Sequence, residues 1–176
     1  MRFVATDISG AFILEPEPIV DERGLFARTW CEREFAKHGI AMTIRQCSVS
    51  VNQRRGTMRG MHYQEMPYAE KRVVRCTSGA IYDVIVDLRP ESRSFRRWVS
   101  VEMSRENRKM IYVPEGCAHG FVTLVDDSEV FYQMSAFYSV DHARGVRWDD
   151  PAFGIEWPIE VTTISERDKN HPDFRV

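Results

Sequence analysis

An all-β sandwich or barrel is the fold that this chain of 176 residues predicts, and three observations predict it. Short runs rich in β-branched and aromatic residues recur from Ile44 onward. Turn signals such as Arg54-Arg55-Gly56, Ser78-Gly79 and Asp126-Asp127-Ser128 separate them. Helical patterning is confined to one short stretch, so helices are a minor component. With 43% hydrophobic residues the chain is long enough for one substantial core and too short for two. Residues 1–176 therefore read as a single domain.

Taken in order, the opening residues carry two apolar runs around Gly10, and Phe12-Ile13-Leu14 closing on Glu15-Pro16 fits an edge strand followed by a turn. Asp21-Glu22-Arg23-Gly24 is a turn signal, and Leu25 to Trp30 alternates before a short helical segment from Glu32 to His38 that Gly39 stops. Strand-like runs follow at 44–51, 57–64, 71–76, 80–88, 95–103, 109–113, 119–125 and 129–138. The segment from Ser139 onward is polar and punctuated by proline, with Trp148 and Trp157 as expected anchors onto the sandwich.

The formal net charge of -2 arises from 24 basic and 26 acidic residues that are well mixed, so no basic field advertises nucleic acid or an anionic membrane. An anionic ligand would have to be held by a local cluster. Four cysteines, Cys31, Cys47, Cys76 and Cys117, lie far apart with no CxxC, and nothing at the N-terminus resembles a signal peptide, which points to a reduced cytoplasm. No apolar run approaches the roughly 20 residues of a membrane span.

Chemistry concentrates in Gly56-Thr-Met-Arg-Gly-Met-His-Tyr-Gln64. It places Arg59, a planar cation suited to phosphate, and His62, the side-chain type suited to general acid and base work, beside glycines that permit close approach of another backbone or a ligand. Strand alternation sends Gly60, His62 and Gln64 one way and Arg59, Met61 and Tyr63 the other unless a bulge re-aims them, so Arg59 is expected at the edge of a site. Lys71, His119, Tyr132 and Asp168 also draw notice. Singly, each has an ordinary reading: a solvated lysine, a buried structural histidine, a packing tyrosine, a surface aspartate.

Together these runs resemble the dTDP-4-dehydrorhamnose 3,5-epimerases. The resemblance is carried by Asp21 to Phe26, Arg59 to Gln64, Lys71, Asp83 to Arg89, Pro114 to Phe121, Tyr132, Tyr138, Trp148 to Pro151, Trp157-Pro158 and Ser165 to Asp168, and it extends from residue 1 to about 169. It implies a double-stranded β-helix, a cupin-like jelly roll with a few short helices, and a homodimer that exchanges N-terminal segments. It also implies an isomerase that inverts one or both of the carbons, C3 and C5, flanking the ketone of a nucleotide-linked 4-keto-6-deoxyhexose in deoxysugar and polysaccharide biosynthesis.

By the same matching, His62 is the base, Asp168 the carboxylate that orients it, Lys71 the cation beside the C4 oxygen, and Tyr132 the acid on the opposite face. Arg23 and Arg59 match diphosphate ligands, Gln46 a polar contact in the nucleotide cleft, His119 a contact near the sugar, Arg167 a further ligand, and Tyr138 the ring that stacks on the base. No cofactor is implied, because the substrate's ketone is the electron sink. No metal is expected either: a metal-binding cupin strand offers His-x-His and then Glu, whereas this chain has His62-Tyr63-Gln64. Arg28, Ser48 and Ala143 depart from the family pattern, all at the nucleotide end, which leaves the base and the sugar open.

Overall fold

The computed structural model describes residues 1–175. Two antiparallel sheets face each other. One has the order β1 (Arg2–Ala5), β2 (Phe12–Glu15), β10 (Met110–Val113), β7 (Arg72–Ser78), β12 (Ser128–Met134), β5 (Gln46–Asn52). The other runs β13 (Ala143–Gly145), β6 (Met58–Gln64), β11 (Cys117–Thr123), β8 (Ala80–Asp87), β9 (Trp98–Ser104). A small hairpin, β3 (Ile19–Asp21) and β4 (Gly24–Phe26), stands apart from both, and the helices are α1 (Glu32–Lys37) and α2 (Glu166–Lys169).

Three apolar layers hold this arrangement. The inner one lies between the sheets and includes Val74, Ile81, Ile85, Ile111, Phe121 and Val130. A second covers the outer face of the six-stranded sheet, where Phe35 of α1 packs with Leu14, Val73 and Tyr112. The third covers the outer face of the five-stranded sheet, where Val84, Val86 and Met61 meet Phe153, Trp157 and Phe174 of the C-terminal segment. Burial on both faces explains why Val84-Ile85-Val86 of β8 are apolar in succession instead of alternating with polar residues. The expected tryptophan anchor is present: Trp157 packs in this layer and its indole N–H donates to the Trp148 carbonyl at 2.9 Å.

Two expectations need correction. β2 is not an edge strand, because it pairs with β1 on one side and β10 on the other. The alternating stretch Leu25 to Trp30 forms a strand only as far as Phe26. Strand ends also shift: the run expected at 95–103 begins at Trp98, since Arg96 sits at φ 65 in the preceding turn.

Candidate active site

The sandwich opens on one side into a cavity of about 430 Å³ walled by both sheets. Its floor is set by an irregularity in β6. Along β11, His119 and Phe121 are two residues apart and share a face, yet their partners on β6 are His62 and Arg59, three residues apart. One extra residue is therefore accommodated in β6, and Arg59 and His62 both reach the cavity instead of pointing to opposite sides. Met61 turns outward into the apolar layer beneath the C-terminal segment. Glycine is required where the two strands meet, since a Cβ on Gly60, at φ +135, would lie 2.5 Å from Gly120 Cα.

His62 Nε2 lies 2.7 Å from Asp168 Oδ1. Asp168 comes from α2, a single turn whose cap is Ser165: the Ser165 Oγ accepts from the Asp168 N–H at 3.1 Å. The other carboxylate oxygen accepts the Gly60 N–H at 3.2 Å, so the bulge and the dyad brace each other. Burial of Asp168 opposes its charge, but the hydrogen bond and charge of His62, with the Gly60 N–H, outweigh it and hold the carboxyl below its usual range. With Nε2 on Asp168, Nδ1 is the nitrogen left for a ligand. The His62 side chain is 38% exposed, open enough to meet one.

Across the cavity, Tyr132 projects from β12 and its hydroxyl lies 3.0 Å from Ser50 Oγ on β5. Burial pushes the phenol up to about 12, against the lowering effects of Ser50 and two arginines. Beside both His62 and Tyr132 stands a second dyad, His119 Nε2 to Asp83 Oδ2 at 2.8 Å, with both side chains almost wholly buried. Burial raises the Asp83 carboxyl while His119 opposes the rise. The His119 and Tyr132 rings meet edge to face at 6.4 Å.

The structure moves the expected cation. Lys71 does not line the cavity; its ammonium donates to the Ala41 carbonyl at 2.7 Å and lies 3.8 Å from Glu115. Arg72, the next residue, enters the cavity instead, and its guanidinium is held by Glu70, with Nε to Oε1 at 2.9 Å, and by the His62 carbonyl at 3.2 Å. Neighbouring residues at the start of a strand point to opposite faces, and Arg72 shares its parity with the core residues Val74 and Cys76.

The binding set divides similarly. Arg59, Gln46, Tyr138, His119 and Arg167 all line the cavity. Arg59 Nε is fixed by Asn52 at 2.6 Å, while Gln46 accepts the Tyr138 N–H at 3.1 Å at the mouth. Arg23 is elsewhere, on the tip of the β3–β4 hairpin, paired with Asp21. Of the departing residues, Ser48 and Ala143 face the cavity and Arg28 does not, being paired with Glu34 at 2.8 Å. Sequence reasoning missed Arg72, Glu70 and the partnership of Asp83 with His119. Asp83 had a signal: it occupies the inward parity of Ile81-Asp83-Ile85, where an uncharged residue is the rule.

Arg59, Arg72, Arg144 and Arg167 against Glu70 make the cavity cationic in a chain whose net charge is -2. An imidazole bonded to a carboxylate on one side, a phenol on the other and a guanidinium nearby form an arrangement that could move protons on an anionic ligand.

Comparison with known proteins agrees. A dTDP-4-dehydrorhamnose 3,5-epimerase of Sinorhizobium fredii is 41% identical over 175 residues, covering 99% of this chain and 90% of the relative. The crystal structure of a Bacillus anthracis dTDP-4-dehydrorhamnose 3,5-epimerase with TDP and PPi bound superposes with a TM-score of 0.94 at 36% identity, over 98% of this chain and 99% of that one. A 3'-monoepimerase of Streptomyces bikiniensis, in complex with dTDP-quinovose, gives 0.88 at 34% identity over 96% and 85%. The family model described as dTDP-4-dehydrorhamnose 3,5-epimerase matches residues 5–175, and the chain belongs to that family.

Proposed function

We propose that this protein is a cofactor-independent isomerase that inverts C3 and C5 of a nucleotide-linked 4-keto-6-deoxyhexose in the cytoplasm. One observation carries the reading: His62 on the five-stranded sheet, bonded to Asp168 of α2, and Tyr132 on the six-stranded sheet face the same cavity from opposite sides. Inversion needs that geometry, because a proton removed and returned on one face restores the original sugar.

A carbon next to the C4 ketone is acidic once the enolate can be stabilised. His62 Nδ1 takes its proton, and Asp168, ionised and bonded to Nε2, supports the imidazolium that forms. Negative charge moves to the C4 oxygen, where the Arg72 guanidinium is the fixed cation; its bonds to Glu70 and the His62 carbonyl hold it in place before the reaction begins. Tyr132 then delivers a proton to the opposite face of the carbon. A phenol pushed up to about 12 stays protonated at neutral pH, and the Ser50 hydroxyl is placed to stabilise the phenolate left behind.

The cationic wall takes the diphosphate on Arg59 and Arg167, with the base stacking on Tyr138 at the mouth and Gln46 beside it. His119, fixed by Asp83, forms the wall behind the sugar. A homodimer completes the site: the exposed β3–β4 hairpin brings Arg23 to the cavity of the partner subunit.

Incubation with dTDP-4-dehydro-6-deoxyglucose in D2O tests this reading. Deuterium is expected at C3 and C5, whereas uptake at C3 alone would identify a monoepimerase like the Streptomyces protein. His62→Ala is expected to abolish uptake at both carbons. Tyr132→Phe is expected to keep exchange, because the base remains, and to lose inversion by about 100-fold or more. Exchange at wild-type rate in His62→Ala would overturn the proposal.

A further inference from the structure

A second imidazole sits against the catalytic dyad and has no part in the reaction described above. The His171 side chain, 11% exposed, places Nε2 3.8 Å from Asp168 Oδ1, the oxygen that His62 also contacts. The His62 and His171 rings lie 6.3 Å apart and nearly perpendicular. His171 Nε2 is buried without a hydrogen-bond partner, a costly state for a ring nitrogen. The room it occupies exists because Gly145, paired with His62 across β13 and β6, has no side chain: a Cβ there would fall 2.2 Å from His171 Nε2.

We propose that His62, Asp168 and His171 form a site for a zinc-class transition-metal ion, and that this ion switches the enzyme off. One ligand atom from each residue lies within 4.8 Å of the other two, a spread that small side-chain rotations close. Two imidazoles and one carboxylate are a donor set suited to zinc, with a fourth position left for water. The Asp168 carboxylate supplies the anionic ligand of the set, beside Arg167 and Arg59. The pair His62 and His119, expected to hold no metal, is not involved: His119 is fixed by Asp83 in the cavity wall.

Inhibition follows from proton bookkeeping on one ring. The metal takes the Nε2 lone pair of His62 in place of the hydrogen bond to Asp168. A neutral imidazole ligated through Nε2 carries its single proton on Nδ1. Nδ1 then has no lone pair to accept a proton from substrate, while the nucleotide-binding arginines are untouched. The ion therefore lowers kcat without raising KM. Binding rests on geometry alone; the inhibitory consequence rests on His62 being the base.

The test uses Co2+ as a coloured probe and Zn2+ as the inhibitor. The wild-type protein is expected to bind one Co2+ per chain with the intense visible absorption of a tetrahedral site, and Zn2+ is expected to bleach it. His171→Gln should lose binding by about tenfold or more, since outer-sphere partners alone are worth that much. Without metal its turnover should stay within about twofold of wild type, and Zn2+ should no longer inhibit it. Equal Co2+ affinity in wild type and variant, or no wild-type binding at all, would overturn the proposal. A wild-type protein that binds Co2+ through His171 but shows no epimerase activity would keep the site and remove the reading of the base. If His171→Gln is unstable, anomalous diffraction at the zinc edge from wild-type crystals decides alone: density bonded to all three side chains supports the site, and density elsewhere overturns it.

Discussion

Lys71 and Arg72 are adjacent cations with opposite fates, and the choice between them is a matter of strand parity. Arg72 enters the cavity with the inward set Val74 and Cys76, while Lys71 turns to the Ala41 carbonyl. Removing a preorganised donor from a developing oxyanion costs about 2.7–4 kcal/mol. Arg72→Ala is therefore expected to lower kcat by about 100-fold or more, and Lys71→Ala to leave it within about twofold, both measured by initial rates. The reverse ranking would return the cation role to Lys71. At this scale the sequence was a partial guide. His62, Tyr132 and Asp168 stand within recognisable runs, and the structure brings these three side chains to one place. Glu70 as a holder of Arg72, and Asp83 as the partner of His119, depend on contacts across the fold that no local run displays; parity alone would have flagged Arg72 and Asp83. His171 lies just past the last matching run and gave no signal of its own.

Strands were legible wherever β-branched and aromatic residues meet clear turns, and their pairing was not. β2 looked like an edge because proline follows it, yet which strands flank it is decided by chain-distant partners. The bulge in β6 was foreseeable only as a possibility raised by Gly60, and it decides the site, since it brings Arg59 and His62 to one face. β11 and β8 carry a matching burden in the buried His119–Asp83 pair. Deleting the imidazole leaves a buried carboxylate without its partner, and breaking such a pair costs about 3–5 kcal/mol. His119→Ala is expected to be destabilised by that order at pH 8. The sign of the pH dependence follows from Asp83: its folded pKa is raised by burial, so the folded variant binds a proton that the unfolded chain has released. Stability of the variant should therefore fall as pH rises above the ordinary carboxylate range and recover as pH is lowered toward 5. Urea midpoints at several pH values measure this. A deficit that is constant with pH would mean that Asp83 is not the group left unpaired.

At the scale of the whole molecule, the two sheets are covered on both outer faces over most of their area, and what stays open is informative. On the β3–β4 hairpin, Ile19 is 69% exposed, Val20 72% and Phe26 72%, and Val49 and Val51 of the edge strand β5 are 59% exposed each. Apolar side chains concentrated on a detached hairpin and a free sheet edge mark an interaction surface. In the twofold dimer proposed above, the hairpin of one subunit would lie on the other, and Arg23 at its tip would serve the partner's cavity. Complementation tests this arrangement. Arg23→Ala and His62→Ala chains, each weak or inactive by itself, are co-expressed with different tags and the mixed dimer is purified. If Arg23 acts in the partner's site, the mixed dimer contains one intact site, formed by His62 of the first chain and Arg23 of the second, and one site lacking both. Its activity should approach half that of the wild-type dimer. If Arg23 acts in its own chain, neither site is intact and the mixed dimer should be no more active than the mean of the two variants.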